Sequence, residues 1–248
     1  MRSLVVLVIA TGCFSKPDRP DDPSASDAGG DALPRTFPSP GPAAALYNSS
    51  YPTPFSITLA ADDPAATIYY TTDGSVPDTT SLRGPTPVTG IMVTSMLVVS
   101  YFAETTEGSG MTATETFRVA TSSQNTAGYL VTNTKLDGTS PVVVAAPNQT
   151  FDASASVQVW VQSSCPGCSA QLVYGVGSTD QGCLFDGDPG VFPGDNNSRT
   201  FSVTAPATPG VHEVLVAHIE QANCNIAMSM MALATRPTVA RIGVLVVR

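Results

Sequence analysis

From Phe55 onward, apolar and polar residues alternate in short runs with a period of two. Phe55-Ser-Ile-Thr-Leu59 alternates without a break, as a strand with one buried face does. Ala66-Thr-Ile-Tyr-Tyr-Thr-Thr72 is dense in β-branched and aromatic residues and runs into Asp73-Gly74, a turn signal, because glycine accepts positive φ and Asp bonds back to the backbone. Ile91–Thr94, Met96–Ala103 and Thr112–Val119 predict further strands. After a stretch of linker composition, Thr121–Ala127, the pattern resumes. Strands are predicted at Gly128–Thr132, Val142–Ala145, Ser156–Gln162, Ala170–Gly177, Thr200–Ala205, Val211–Ile219, Ile226–Ala234 and Val239–Val247. No stretch shows a useful helical period. The expected fold is all-β, with two β-sandwich domains at 45–120 and 128–248, the second immunoglobulin-like in a loose sense.

The chain before these domains is different. Met1-Arg-Ser-Leu-Val-Val-Leu-Val-Ile-Ala-Thr-Gly-Cys13 holds one positive charge and a short apolar run. A bilayer-spanning helix needs about 20 apolar residues, so residues 1–12 suit a signal peptide. The ending Ala10-Thr-Gly-Cys13 resembles a bacterial lipoprotein lipobox, which implies cleavage before Cys13 and acylation of its thiol. The partner is then the lipid bilayer, and the location a bacterial cell envelope. Phe14, where Asp marks inner-membrane retention, resembles outer-membrane sorting. Residues 13–44 are dominated by Pro, Asp, Ser, Gly and Ala and read as a disordered tether.

The hairpin Ala66-Thr-Ile-Tyr-Tyr-Thr-Thr-Asp-Gly-Ser-Val-Pro77, with Ala45-Leu-Tyr47 before it and Leu97-Val-Val-Ser-Tyr-Phe-Ala103 after it, resembles the chitobiase/β-hexosaminidase C-terminal-type β-sandwich repeat over about residues 38–120. That resemblance implies an accessory module, often in exported proteins that act on glycans, with no catalytic residue to carry over. The second domain only loosely resembles C-P-G-C-containing β domains of exported bacterial proteins.

Composition narrows the chemistry. Charged residues make up 12% of the 248, and the net charge is −9. Nucleic acid needs a basic stripe, and there is none. With Cys13 acylated, four thiols remain, and export favours disulfides. If Ser156–Gln162 runs up, Cys165 and Cys168 lie in the top loop, while Cys183 and Cys224 fall in loops at the bottom. A seven-residue strand spans about 23 Å, whereas a disulfide needs Cα atoms within about 7 Å. The expected pairs are Cys165–Cys168 and Cys183–Cys224. A zinc site wants two close pairs at one point, and a redox C-x-x-C wants a helix behind it.

No nucleophile elbow, P-loop or H-E-x-x-H is present, so no catalytic residue, metal site or cofactor is assigned. His212 and His218 share one strand face about 20 Å apart, too far to share a metal. Asp180, Asp186, Asp188 and Asp195 read as carboxylates on a solvated loop within Ser178–Arg199. Two aromatics are candidate ligand platforms. Trp160 shares a strand face with Ser156, Gln158 and Gln162, opposite Val157, Val159 and Val161. Tyr69 sits opposite Ile68 and Tyr70, which are assigned to the core. The expected function is a tethered, non-catalytic surface lipoprotein whose sandwiches bind something, with glycan first. A structural or protein-interaction module is the alternative, and a small glycan-processing enzyme is a weaker one.

Overall fold

The computed structural model describes residues 33–42, 50–119, 127–230, 233–236 and 238–248. Cys13, the leader, most of the tether, and Ala45–Tyr47 lie outside the described residues, as do Ala120 and residues 121–126 of the linker.

The first sandwich holds β1 (Thr36–Ser39), β2 (Phe55–Ala61), β3 (Thr67–Thr71), β4 (Leu82–Pro85), β5 (Val88–Val93), β6 (Met96–Thr105), β7 (Gly108–Ser109) and β8 (Ala113–Arg118). One sheet has the order β1-β2-β5. The other runs β4-β3-β6, with β7 and β8 both paired to the far edge of β6. Period-two alternation sends Ile57 and Leu59 inward to meet Ile68, Val93, Val99 and Phe117. Asp73 is a turn former. Its Oδ1 accepts from the Ser75 backbone N–H at 3.0 Å and from the Ser75 hydroxyl at 2.6 Å, and these bonds hold its carboxyl below the usual range.

The ordered body begins earlier than the tether reading allows. Leu33–Pro42 is structured, and β1 pairs antiparallel with β2 from Thr36↔Ala61 to Ser39↔Thr58. Its composition hid it: Pro38 has no N–H to donate, and an edge strand is where that is tolerated.

The second sandwich holds β9 (Gly128–Leu136), β10 (Val142–Ala145), β11 (Thr150–Trp160), β12 (Ala170–Val176), β13 (Thr179–Gly187), β14 (Asp195–Thr204), β15 (Gly210–Ile219) and β16 (Val239–Val247). Its sheets run β14-β11-β9 and β10-β16-β15-β12-β13, with β10 parallel to β16. Val157, Val159 and Val161 line its core, as the alternation requires.

Two segments differ from the sequence expectation. Residues 178–199 are not a loop: most of them form β13 and the start of β14. Ile226–Ala234 is not a strand. Ile226–Met230 belongs to α1 (Cys224–Met230), and Leu233 and Ala234 belong to a 3-10 turn (Leu233–Thr235). The Asn223 side chain accepts the Ile226 N–H at 3.1 Å, an N-cap. Helix α1 covers the outer face of the larger sheet, where Ala227 packs on Val173, Leu215 and Ala217.

The inserted β13 reverses the direction of the later strands. Cys183 therefore lies within a strand, opposite Val173 of β12, and Cys224 opens the helix that packs over that face. The bonds are Cys165–Cys168 and Cys183–Cys224, with Cα separations of 5.4 and 6.1 Å. The expected pairs form, but not at opposite poles. The Cys224 N–H bonds Asp186 at 3.1 Å, and Asp186 accepts from Gln171, three positions beyond Cys168, at 3.1 Å. Both clasps lie toward one end of the sandwich.

Candidate functional site

Neither aromatic platform is available to a ligand. Trp160 is 0% exposed. The segment from Asp188 to Gly194 crosses the outer face of β11, with Val161 bridged to Val191 and its N–H bonded to the Gly190 carbonyl at 2.9 Å. Phe192 meets the indole edge-on at 5.5 Å, and the Gln158 amide donates to the Pro193 carbonyl at 2.8 Å. The face of β11 that Trp160 shares with Gln158 is thus roofed by a loop. Tyr69 is 6% exposed and stacks on Phe102 with centroids 5.1 Å apart. Its cross-strand neighbour on β6 is this phenylalanine, so the second face of the strand is covered too. Ile68 is in the core as expected, and Tyr70 packs half-buried against it.

The four aspartates serve the fold. Asp180 pairs with Arg236 at 2.7 Å, and Arg236 also donates to the Ala227 carbonyl at 3.1 Å. Asp195 pairs with Arg199 at 2.6 Å, and Asp188 accepts the Gly190 N–H at 2.8 Å. Gln171, fully buried, holds Asp186 on one side and the Gln221 N–H on the other at 2.8 Å. Among the described residues, no group of His, Cys, Asp or Glu is arranged to hold a metal. His212 Nε2 donates to the Thr208 carbonyl at 2.8 Å. His218 is buried beside Tyr129, with ring centroids 6.4 Å apart, and its Nε2 has no hydrogen-bond partner. Burial pushes its pKa down to about 4.

The residues that sequence reasoning missed lie between the sandwiches. Arg241 of β16 donates to Glu213 of β15 at 3.0 Å and to Glu115 of β8, in the other sandwich, at 3.2 Å. Its guanidinium lies over the Phe37 ring at 5.4 Å, and Tyr101 donates to the same Glu115 oxygen at 2.7 Å. Burial works against the Arg241 charge, but Glu115 and Glu213 outweigh it and hold the group protonated. The chain leaving β1 crosses the same seam. The Ser39 hydroxyl donates to the Ile242 carbonyl at 2.6 Å, and the Gly41 N–H donates to the Arg241 carbonyl at 2.8 Å. The Tyr51 hydroxyl closes the knot on the Gly41 carbonyl. Leu130 of β9 packs within the core of the first sandwich. Nothing in the alternation of β8 or β16 marks Glu115 or Arg241 as partners 126 positions apart. The only hint is an arginine in an otherwise apolar final strand.

Beside this clamp the seam opens into a groove of about 310 Å³. Its floor is the outer face of the first sandwich, where Ser56 and Thr58 point away from the core residues Ile57 and Leu59. Thr89 and Gly90 of β5 flank that floor. The opposite wall is Asn133, Thr134 and Lys135 of β9, continued by the turn into β10.

Comparison with known proteins bears mainly on the first sandwich. Residues 46–116 match the family model for the chitobiase/beta-hexosaminidase C-terminal domain, and this segment is a β-sandwich domain of that type. No curated protein matches the sequence. Among solved structures, the chain is similar to one described as "Structures of Clostridium thermocellum CbhA fibronectin(III)-like modules". Identity is 12%, coverage is 86% of this chain and 93% of that one, and the TM-score is 0.24. So low a score adds nothing to the two-sandwich architecture read from the strands themselves.

Proposed function

We propose that the protein is a non-catalytic accessory protein of the cell envelope, lipid-anchored at Cys13, whose two sandwiches form one rigid body that holds a contact surface clear of the membrane. The observation that carries this reading is the seam. One guanidinium joins carboxylates from both sandwiches, and the strand nearest the tether is bonded to both. Two domains meant to swing apart do not share a half-buried ion triad and a strap. Trp160 and Tyr69 are buried, so contact is made through a shaped surface rather than by ring stacking. A glycan ligand is the second reading, favoured by the hydroxyl-lined groove.

Two measurements test this. Radiolabelled palmitate fed to the producing cells should mark the wild-type protein but not Cys13→Ser, which should move from the membrane to the soluble fraction. Small-angle scattering of the folded protein should fit a single fixed arrangement of the two sandwiches. Unlabelled wild-type protein would remove the anchor from the proposal, and scattering that demands a broad ensemble would remove the rigid body.

A further inference from the structure

The seam groove has the chemistry of a binding site, and we propose that it takes a small hydroxyl-rich anion, of the type of a uronic-acid oligosaccharide. This rests on the accessory-module reading and adds a ligand class to it. The walls come from different sandwiches, so the clamp at Arg241 fixes their spacing before any ligand arrives, and a preformed site does not lose affinity to ordering. At about 310 Å³, the groove sits at the low end of the roughly 300–1,000 Å³ found for ligand sites.

The lining selects the chemistry. Two of its hydroxyls already donate inward, Ser39 to the Ile242 carbonyl and Thr139 to the Leu136 carbonyl at 3.1 Å, while Ser140 is closed on itself, donating to the Val142 carbonyl and accepting the Val142 N–H at 3.2 Å. A hydroxyl that has given its proton to the backbone keeps its lone pairs for a donor, and a polyol supplies donors along its length. Lys135 is the one charged residue of the lining, is exposed, and joins none of the ion pairs among the described residues. On a chain of net charge −9, an unpaired ammonium facing a groove of acceptors selects a carboxylate carried on a hydroxylated frame. The groove has no aromatic ring in its lining, so a neutral sugar has neither a stacking face nor a counter-charge there. Gly90, at φ 79°, leaves the space its Cβ would occupy empty, which keeps the floor open. A peptide strand fits less well, because β9 breaks its ladder beside the groove, with Asn133 at φ 53° and a register shift there.

The test is calorimetric titration of the full chain in detergent micelles with a galacturonate trimer, a galactose trimer and sodium acetate. The expected result is saturable binding of the galacturonate trimer alone. Lys135→Gln should weaken it by about fivefold, the scale of one exposed charge contact, and Lys135→Arg should restore it. Thr89→Glu, which puts a carboxylate on the opposite flank, should abolish it. All three substitutions are at exposed positions, and unchanged thermal midpoints will verify folding. The proposal is overturned if the galacturonate trimer gives no saturable heat, if acetate or the neutral trimer binds as well, or if Lys135→Gln and Thr89→Glu leave the isotherm unchanged. In each case the anchor and the rigid body stand or fall on their own measurements.

Discussion

At Gly194 a methyl group has nowhere to go. A Cβ built there would lie 1.9 Å from the Val159 carbonyl oxygen and 2.8 Å from the Trp160 Cβ, and the residue sits at φ 66°. Backbone and side chain of β11 both hold it to glycine, and through it the loop that roofs the indole. Gly194→Ala should lift that loop and destabilise the protein by about 2 kcal/mol or more. Trp160→Ala, which empties a fully buried site, should cost about 3–5 kcal/mol. Urea unfolding measures both. As the chain's one tryptophan, Trp160 also reports its own cover: iodide should not quench its fluorescence in wild type but should in Gly194→Ala. His218 gives a second residue-scale expectation. Its folded pKa of about 4 lies below the ordinary 6.5, so the unfolded chain binds the extra proton. Its neutral form therefore supports the fold fully above pH 6.5, and that support is lost as pH falls from 6.5 toward 4. The loss is about 3 kcal/mol. His218→Gln should flatten that part of the stability–pH curve, as measured by urea midpoints at stepped pH.

The elements show where a sequence pattern informs and where it fails. Strands that line a core on one face or are covered on both, such as β2, β10, β12 and β16, are legible because burial imposes the alternation or an apolar run. β13 is not, since it is a sheet edge with most of its residues half-buried. There Gly182 lies against the Tyr174 ring, whose atoms would stand 3.0–3.2 Å from an added Cβ and have to shift to admit it. Helix α1 reads as apolar strand from Ile226 onward because seven residues are too few to show a period, although Asn223 and the Ala and Met content are helix signals. The cysteine pairing holds although the later strands run opposite to the directions that the sequence predicts. It holds because Cys165 and Cys168 are close along the chain, which leaves one other pair. The expected effects of removing the disulfides follow from the loops they close. Cys183–Cys224 spans 41 positions, so the double serine variant should lose about 4 kcal/mol by the loop-entropy estimate. It should also free α1 from the outer sheet face, seen as faster amide exchange at Val173 and Ala217. The Cys165–Cys168 variant closes a loop of three and should lose only about 2 kcal/mol, with exchange in those strands unchanged.

At the scale of the whole molecule, the two sandwiches differ in what holds them and agree in what joins them. The second has both disulfides, and the first has none among its described residues. Taken alone, the first should unfold more easily. The seam couples them through Leu130 packed in the first core, the strap at Ser39 and Gly41, and Arg241 between Glu115 and Glu213. That ion triad adds more to orientation than to net stability, because Glu115 Oε2 and Arg241 Nε are buried without partners, and desolvating such groups offsets much of the charge attraction. Removing the arginine is another matter, since it leaves two carboxylates facing each other across the seam with no cation. Arg241→Ala should cost about 2–4 kcal/mol, scaled down from a fully buried pair because the side chains keep some solvent contact. It should also separate the two unfolding events. Trp160 lies in the second sandwich, so its fluorescence follows that domain only, while far-UV circular dichroism follows both. In wild type the two signals should trace one urea transition. In Arg241→Ala the dichroism should begin to fall at lower urea than the fluorescence, as the unstapled first sandwich melts ahead of its neighbour. Coincident curves in the variant would mean that Leu130 and the strap carry the coupling and that the ion triad only tunes the angle between the two bodies.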